Sequence, residues 1–281
     1  MYLRPKTLQE AVSVLAGSGG RILAGGTDFY PALGERLPQG DVVDITALEE
    51  IRGISFAADH VRIGGLTTWT DVIRTPLPRC FDALKAAARE VGAVQIQNRG
   101  TVAGNLCNAS PAADGVPPLL AMDAEVELAS AAGRRRMPLA QFITGNRKTQ
   151  CLADEILAAV LVPRRMENAA SVFLKLGARK YLVISISMVA AIVQVDQVDK
   201  DRRVAEAHIA VGSCSATAQR LSGLEKDLIG QSVVAGIGAL VRAEHLAPLS
   251  PIDDVRATAE YRRDASLTLV GRALEACVEK I

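Results

Sequence analysis

Apolar positions recur with a helical period at Leu8, Ala11, Val12 and Leu15, directly behind Thr7-Leu-Gln-Glu10, whose hydroxyl and carboxylate stand at capping-box spacing. A helix is therefore expected to begin near Thr7 and to stop at Gly17-Ser-Gly-Gly20. Arg21-Ile-Leu-Ala24 then reads as a short buried strand running into a Gly25-Gly26 turn. Asp28 is placed to cap the helical turn that follows, and Asp41-Val-Val-Asp-Ile45 reads as a second strand. Together they make a small β/α unit ending near Ile51-Arg-Gly-Ile54.

Val61-Arg-Ile-Gly-Gly65 opens the next stretch as a strand and turn, and Thr68 with Asp71 supplies a second capping box for a short helix over residues 69–74. The alanine-rich segment 81–91 is helical and delivers the chain into Gly100-Thr-Val-Ala-Gly-Asn-Leu-Cys-Asn-Ala-Ser-Pro-Ala-Ala-Asp114, a run expected to form a loop. Residues 117–122 predict a helix with proline in its first turn, and residues 125–129 alternate as a strand. Arg134-Arg-Arg136 reads as a charged turn on a solvated hairpin rim, and residues 155–163 as a strand that proline ends. Beyond Arg164-Arg165 the pattern changes to longer strands over 172–175, 183–195 and 204–211, with helices over 232–245 and 265–280 to cover them. This predicts an α+β chain of two α/β subdomains, residues 1–54 and 55–165, followed by a C-terminal antiparallel sheet with covering helices, residues 166–281.

Composition narrows the function. With 281 residues, 49% hydrophobic and 22% charged, the chain has enough apolar material for more than one core. Lys+Arg 32 against Asp+Glu 31 leaves a net charge of +1, which gives no electrostatic footprint for nucleic acid or an anionic membrane. The start Met-Tyr-Leu-Arg-Pro-Lys has no apolar signal core, and no apolar run approaches the ~18 residues of a membrane span, so a cytoplasmic location is expected. The cysteines at 80, 107, 151, 214 and 277 are scattered without a C-x-x-C pair, which reads as reduced bystander thiols and argues against a zinc or iron–sulfur site held by this chain.

Candidate chemistry concentrates in the two glycine-bearing turns. A diphosphate is held without a cation when successive backbone N–H groups point into one concavity, and glycine allows that approach. Thr27, Thr101, Ser110 and the Asn105 amide add neutral donors. The G-x-G-x-x-G dinucleotide fingerprint is absent, since Gly17-Ser-Gly19 precedes its strand, and no G-x-x-x-x-G-K-[ST] occurs. Each turn taken alone reads more readily as an ordinary tight connection than as a binding site.

The pair together resembles a known family. Ile22-Leu-Ala-Gly-Gly-Thr-Asp-Phe29 and Asn98-Arg-Gly-Thr-Val-Ala-Gly-Asn-Leu-Cys-Asn-Ala-Ser-Pro-Ala-Ala-Asp114 are similar to the two FAD-binding segments of the flavoprotein subunits of molybdenum hydroxylases, the xanthine dehydrogenase and carbon monoxide dehydrogenase group. The likeness extends through Pro5-Lys-Thr-Leu-Gln-Glu-Ala11, Leu119-Leu-Ala-Met-Asp-Ala-Glu-Val-Glu-Leu128, Phe173-Leu-Lys-Leu-Gly-Ala-Arg179 and Glu260-Tyr-Arg-Arg263. It implies the PCMH-type, vanillyl-alcohol-oxidase-like FAD-binding fold and non-covalent FAD. It further implies that Ile22, Leu23, Ala24, Gly25, Gly26, Thr27, Asp28 and Phe29 line the adenosine and diphosphate end. Thr101, Ala103, Gly104 and Asn105 would form the second clamp, with Ser110 beside it and Asp114 bonded to a polar part of the cofactor. Val91 stands where larger forms carry an aromatic residue, and Leu157 and Lys175 match late contacts. Tyr181 is a candidate for contact with the isoalloxazine ring, with core or rim packing as its alternative.

The same resemblance implies an electron-transfer subunit in a hetero-oligomer with a molybdenum-cofactor large subunit and a two-iron, two-sulfur small subunit. Lys180-Tyr-Leu-Val183 stands where NAD-reducing members carry acidic residues, which argues against direct NAD reduction. No Ser-His-Asp set, metal constellation or paired carboxylates mark a substrate site of the chain's own, so no residue is expected to be catalytic. A self-contained flavin oxidase and a scaffold that has lost FAD are the competing readings.

Overall fold

The computed structural model describes residues 1–198 and 201–281. Its first layer comprises β1 (Tyr2–Leu3), α1 (Leu8–Ser18), β2 (Arg21–Leu23), α2 (Phe29–Leu33) and β3 (Val42–Asp44), with the strands parallel in the order β1-β3-β2. The predicted capping box is present: Thr7 Oγ accepts the Glu10 amide at 3.2 Å, and the Glu10 carboxylate accepts the Thr7 amide. Leu8, Ala11, Val12 and Leu15 of α1 pack with Val43, Ile45, Leu48 and Ile51, and the same cluster takes in Ile156 and Ala158 from far along the chain. Asp28 precedes α2 but makes no capping hydrogen bond, contrary to expectation. Its φ of −108° and ψ of −28° are already helical, and a side chain reaches back over the first turn from an extended residue.

The second layer is a five-stranded antiparallel sheet. In chain order it contains β4 (Ile54–Phe56), β5 (His60–Gly64), α3 (Trp69–Arg74), α4 (Asp82–Glu90), α5 (Val94–Gln97), α6 (Val102–Asn108), α7 (Val116–Ala121), β6 (Glu125–Ser130) and β7 (Gly133–Pro138). There follow α8 (Leu139–Phe142), the ribbon β8 (Ile143–Gly145) and β9 (Lys148–Thr149), and β10 (Ile156–Pro163). The sheet order β4-β5-β10-β6-β7 puts the late strand β10 at the centre, and the five helices inserted between β5 and β6 bury Trp69, Phe81, Leu84, Leu106 and Leu119 beside it.

Two local expectations change here. The run 100–114 is not a loop throughout: Thr101 accepts the Gly104 amide at 2.9 Å and starts α6, which ends at left-handed Ala109 with φ 47°. Burial of Val102, Ala103 and Leu106 selects the helix over the loop that the small residues suggested. Arg134-Arg-Arg136 lies within β7 rather than in a turn. Alternation sends Arg134 and Arg136 to Glu127 and Arg135 to Glu155, so buried carboxylates hold the triplet in the sheet.

The third layer holds β11 (Ala170–Leu176), β12 (Ser187–Val198), β13 (Asp201–Gly212) and β14 (Gln219–Arg220) in antiparallel sequence order, then α9 (Ser222–Leu228) and α10 (Ala259–Lys280). One face packs Val189, Ala191 and Val193 against Val270, Ala273, Leu274 and Cys277 of α10. The other turns Met188, Ala190 and Ile192 into the core containing α4 and α7. Cover on both faces explains the unbroken apolar run of β12. Residues 183–186 lie outside the strand, with Leu182 at φ 52° before them. The helix expected over 232–245 resolves into the 3-10 turns Ile237–Leu240 and Ala243–Leu246, preceded by left-handed Gly236, while α9 was not foreseen and α10 begins earlier, at its Thr258 cap.

Candidate functional site

A cleft of about 630 Å³ lies between the β2–α2 turn on one side and α6 with the start of β10 on the other. Its architecture depends on backbone contact between the two glycine turns. A Cβ on Gly25 would stand 2.0 Å from the Arg99 carbonyl oxygen and 3.0 Å from Gly100 Cα, so glycine alone lets the turns meet. Gly26 follows with φ +76°, a left-handed conformation that reverses the chain beneath the cleft. Among the described residues, no protein acceptor takes the backbone N–H groups of Gly25, Gly26, Thr27 or Asp28. An anion is held by such amides where they point into one concavity.

The opposite wall is held by neighbours in space rather than in sequence. The Trp69 amide donates to Gly100 O at 3.2 Å, and the Val102 amide donates to Thr67 O at 3.0 Å, which fixes the entry to α6. Gly104 answers first to the helix cap: a Cβ there would lie 2.8 Å from Thr101 Oγ. Asn105 Oδ1 is buried without a hydrogen-bond partner among the described residues. On a wall of this cleft, such an acceptor is a place for a ligand donor. Gly65 lets β10 close in, since its Cβ would stand 2.2 Å from Leu157 O.

The structure brings most of the sequence-selected residues to this cleft. Ile22, Ala24, Gly25, Gly26, Thr27, Asp28 and Phe29 line one side, and Val91, Thr101, Ala103, Gly104, Asn105 and Leu157 line the others. The remaining residues lie elsewhere. Leu23 is buried at 6% exposure and does not line the cleft. Ser110 borders a second cavity of about 680 Å³, together with Ser185 and Arg262. Tyr181 is 66% exposed, with the Lys180 ammonium 5.3 Å from its ring centroid.

Asp114 and Lys175 form a buried ion pair at 2.7 Å, and Ser185 Oγ donates to the other carboxylate oxygen at 2.6 Å. Burial pushes the Asp114 carboxyl up, against the opposing pull of the Lys175 ammonium and the Ser185 hydroxyl. Lys175 also donates to Glu90 O at 3.4 Å, one residue before the cleft-lining Val91. The pair thus ties the C-terminal sheet to the cleft wall, and the lysine is not the solvated strand residue its type suggests.

Sequence reasoning missed three features. Arg21 lines the cleft, with its guanidinium 4.8 Å from the centre of the Phe29 ring. The only available signal was a basic residue four positions before Gly25. Trp69 forms part of the wall through contacts that its own helix does not predict. Cys107 and Cys151, far apart in sequence, both line the cleft, whereas Cys80, Cys214 and Cys277 are buried. Among the described residues, no group of three or more His, Cys, Asp or Glu could hold a metal ion.

Comparison with known proteins adds independent findings. Residues 1–165 match the model for an FAD-binding domain in molybdopterin dehydrogenase, and residues 173–277 match a CO dehydrogenase flavoprotein C-terminal domain. The chain is 32% identical, over 99% of its length and 95% of the relative's, to a putative xanthine dehydrogenase FAD-binding subunit of Escherichia coli. It is 39% identical, over 69% of each chain, to the nicotinate dehydrogenase FAD-subunit of Eubacterium barkeri. A solved structure of carbon monoxide dehydrogenase from Hydrogenophaga pseudoflava, lacking the Mo-pyranopterin moiety of its molybdenum cofactor, superposes with a TM-score of 0.87 at 28% identity, covering 98% of this chain and 96% of that one.

Proposed function

The chain belongs to the family of FAD-binding domains in molybdopterin dehydrogenases, and from that premise we propose that the cleft between its two glycine turns is where it holds FAD, without covalent attachment. The observation that carries this assignment is the direct contact of Gly25 with Arg99 and Gly100, which joins two turns distant in sequence into one anion-binding surface. Residues 1–54 supply the first turn, residues 55–165 the second, and residues 166–281 the sheet that backs them. The free amides of residues 25–28 receive the diphosphate, with the Arg21 guanidinium adding positive potential along the same wall. Asn105 Oδ1 accepts a hydrogen bond that the protein itself does not provide. Asp114 and Lys175 act from behind the wall, holding the position of Val91 through Glu90.

The protein is the FAD-binding electron-transfer subunit of a molybdenum-containing hydroxylase or dehydrogenase, an oxidoreductase that acts with partner subunits. Those partners are a large subunit with the molybdenum cofactor and a small subunit with two-iron, two-sulfur clusters. FAD supplies the chemistry that side chains lack here, taking up electrons singly and releasing them in pairs. The chain's own task is to bind and orient the flavin and to keep water from it. We assign the final acceptor as one other than NAD, on the basis of Lys180-Tyr-Leu-Val183. No helix among the described residues is long and apolar enough to cross a membrane. We place the complex in the cytoplasm, which suits five free thiols.

The assignment predicts a purified protein with flavin absorption bands and a yellow supernatant after acid precipitation. A colourless protein that takes up no added FAD refutes it.

A further inference from the structure

The chain's single tryptophan is buried where the two glycine turns meet. Trp69 is the first residue of α3, and a capping box fixes that turn: the Thr68 hydroxyl accepts the Asp71 amide at 3.1 Å, and the Asp71 carboxylate accepts the Thr68 amide at 2.9 Å. Its indole is clamped between two glycines. A Cβ on Gly115 would stand 2.3 Å from Trp69 Cη2, and one on Gly100 would stand 3.5 Å from Trp69 Cδ1. The benzene ring is thus held at Gly115, and the pyrrole edge, where Cδ1 is bonded to the N–H nitrogen, at Gly100. The same Cβ position on Gly100 lies 3.4 Å from Thr27 Oγ1, so the pyrrole edge and the Thr27 hydroxyl converge beside the amides of residues 25–28.

Trp69 is 1% exposed, yet among the described residues no acceptor takes its indole N–H. An indole nitrogen can only donate, and a buried tryptophan ordinarily finds an acceptor for it. The ring lines the cleft, so the acceptor it lacks is one that a ligand brings there. We propose that the Trp69 indole N–H donates to the diphosphate of FAD and, with the Thr27 hydroxyl, completes the donor set begun by the four backbone amides. This role rests on the assignment of FAD to the cleft, and it names the residue that fixes the diphosphate from the side of the second turn.

The chemistry of the wall selects the phosphate over the neutral acceptors of the flavin and adenine. A phosphate oxygen is a charged acceptor, and a hydrogen bond to it is roughly twice as strong as one between neutral groups. Arg21 is the only Lys or Arg among the described residues lining the cleft, and its guanidinium lies on the Phe29 ring, 4.8 Å from the centroid. Neutral donors therefore carry most of the phosphate charge, and the loss of one is felt. Held between Gly100 and Gly115, the indole cannot turn its N–H elsewhere, so the donor is oriented before the cofactor arrives.

The test uses the full chain, freed of flavin and isotopically labelled for proton–nitrogen spectra, in which Trp69 gives a single indole N–H resonance. Titration with FAD, or with ADP, which carries a diphosphate without the flavin, should move that resonance downfield. Titration with riboflavin should leave it in place. Trp69→Phe keeps an aromatic ring without a donor, and it should weaken FAD and ADP alike by about ten-fold, with riboflavin binding unchanged. A resonance that ADP does not move, or a variant with wild-type affinity for ADP, overturns the donor role and leaves FAD in the cleft. Equal loss of riboflavin binding in the variant assigns the ring to packing and also overturns the donor role. If the variant does not fold, the resonance of the wild-type chain decides. Failure of the wild-type chain to bind FAD overturns both this role and the assignment of the cleft.

Discussion

In the C-terminal sheet, the run from Val189 to Val193 is buried on both faces and paired on both edges by β11 and β13, whereas the turn from Gly25 to Asp28 leaves four successive amides without an acceptor among the described residues. The first region hides apolar side chains and satisfies its backbone. The second holds its backbone open at a concave surface. Stability is therefore concentrated beneath α10, and recognition is concentrated where hydrogen-bonding capacity is held in reserve. The Asp114–Lys175 pair is where the two regions are joined.

That junction gives the largest expected effect. Lys175→Met leaves the Asp114 carboxylate buried without its cation, and breaking a buried pair this way destabilises by ~3–5 kcal/mol. The deficit, measured by denaturant unfolding, should be greatest at neutral pH. Asp114 is already raised in the folded state, and loss of the lysine raises it further, so the folded protein holds a proton that the unfolded chain releases. Stability should therefore recover as the pH falls toward the ordinary carboxylate range. A variant with full neutral stability would show that the regions are not coupled through this pair.

Leu274→Ala, in a side chain 1% exposed beneath the sheet, should lower stability by ~3 kcal/mol through the cavity it leaves, with bound flavin per folded protein unchanged. Gly25→Ala should reverse that pattern. Its methyl must displace the Arg99 carbonyl, a strain of ~2 kcal/mol that falls on the cleft and weakens FAD binding by ~30-fold in a fluorescence titration. If the two substitutions affected stability and flavin alike, the division between the regions would fail.

The smallest effect concerns acid stability. Burial would raise the Asp254 carboxyl, but the Arg256 amide and the Arg262 guanidinium outweigh it and hold it down to about 2, from an ordinary 3.8. A depressed carboxyl stabilises the fold above its unfolded value, and that contribution is lost as the pH falls from 3.8 toward 2. Asp254→Asn should flatten the pH dependence of the unfolding midpoint across that window and leave the flavin unaffected.

Local spacing made much of this legible. Thr7 with Glu10 and Thr68 with Asp71 announced two helix starts, because a capping box is formed by residues three apart. The two glycine turns were visible as motifs for a similar reason. The stretches misread depended on distant partners: α6 forms where small residues suggested a loop because Leu106 and Val102 are buried, and β7 extends through three arginines because Glu127 and Glu155 neutralise them from other strands. Residues 232–245 have a helical pattern but fold as 3-10 turns over the sheet.

By itself, the sequence determined the family, the cofactor and the two glycine turns, since these rest on short runs of residues whose backbone freedom is set locally. Only the tertiary structure decided that Gly25 touches Arg99 and that Lys175 is buried against Asp114. Each of these joins residues far apart in the chain. Their approach is fixed by the packing of three cores and not by any local preference of the residues concerned.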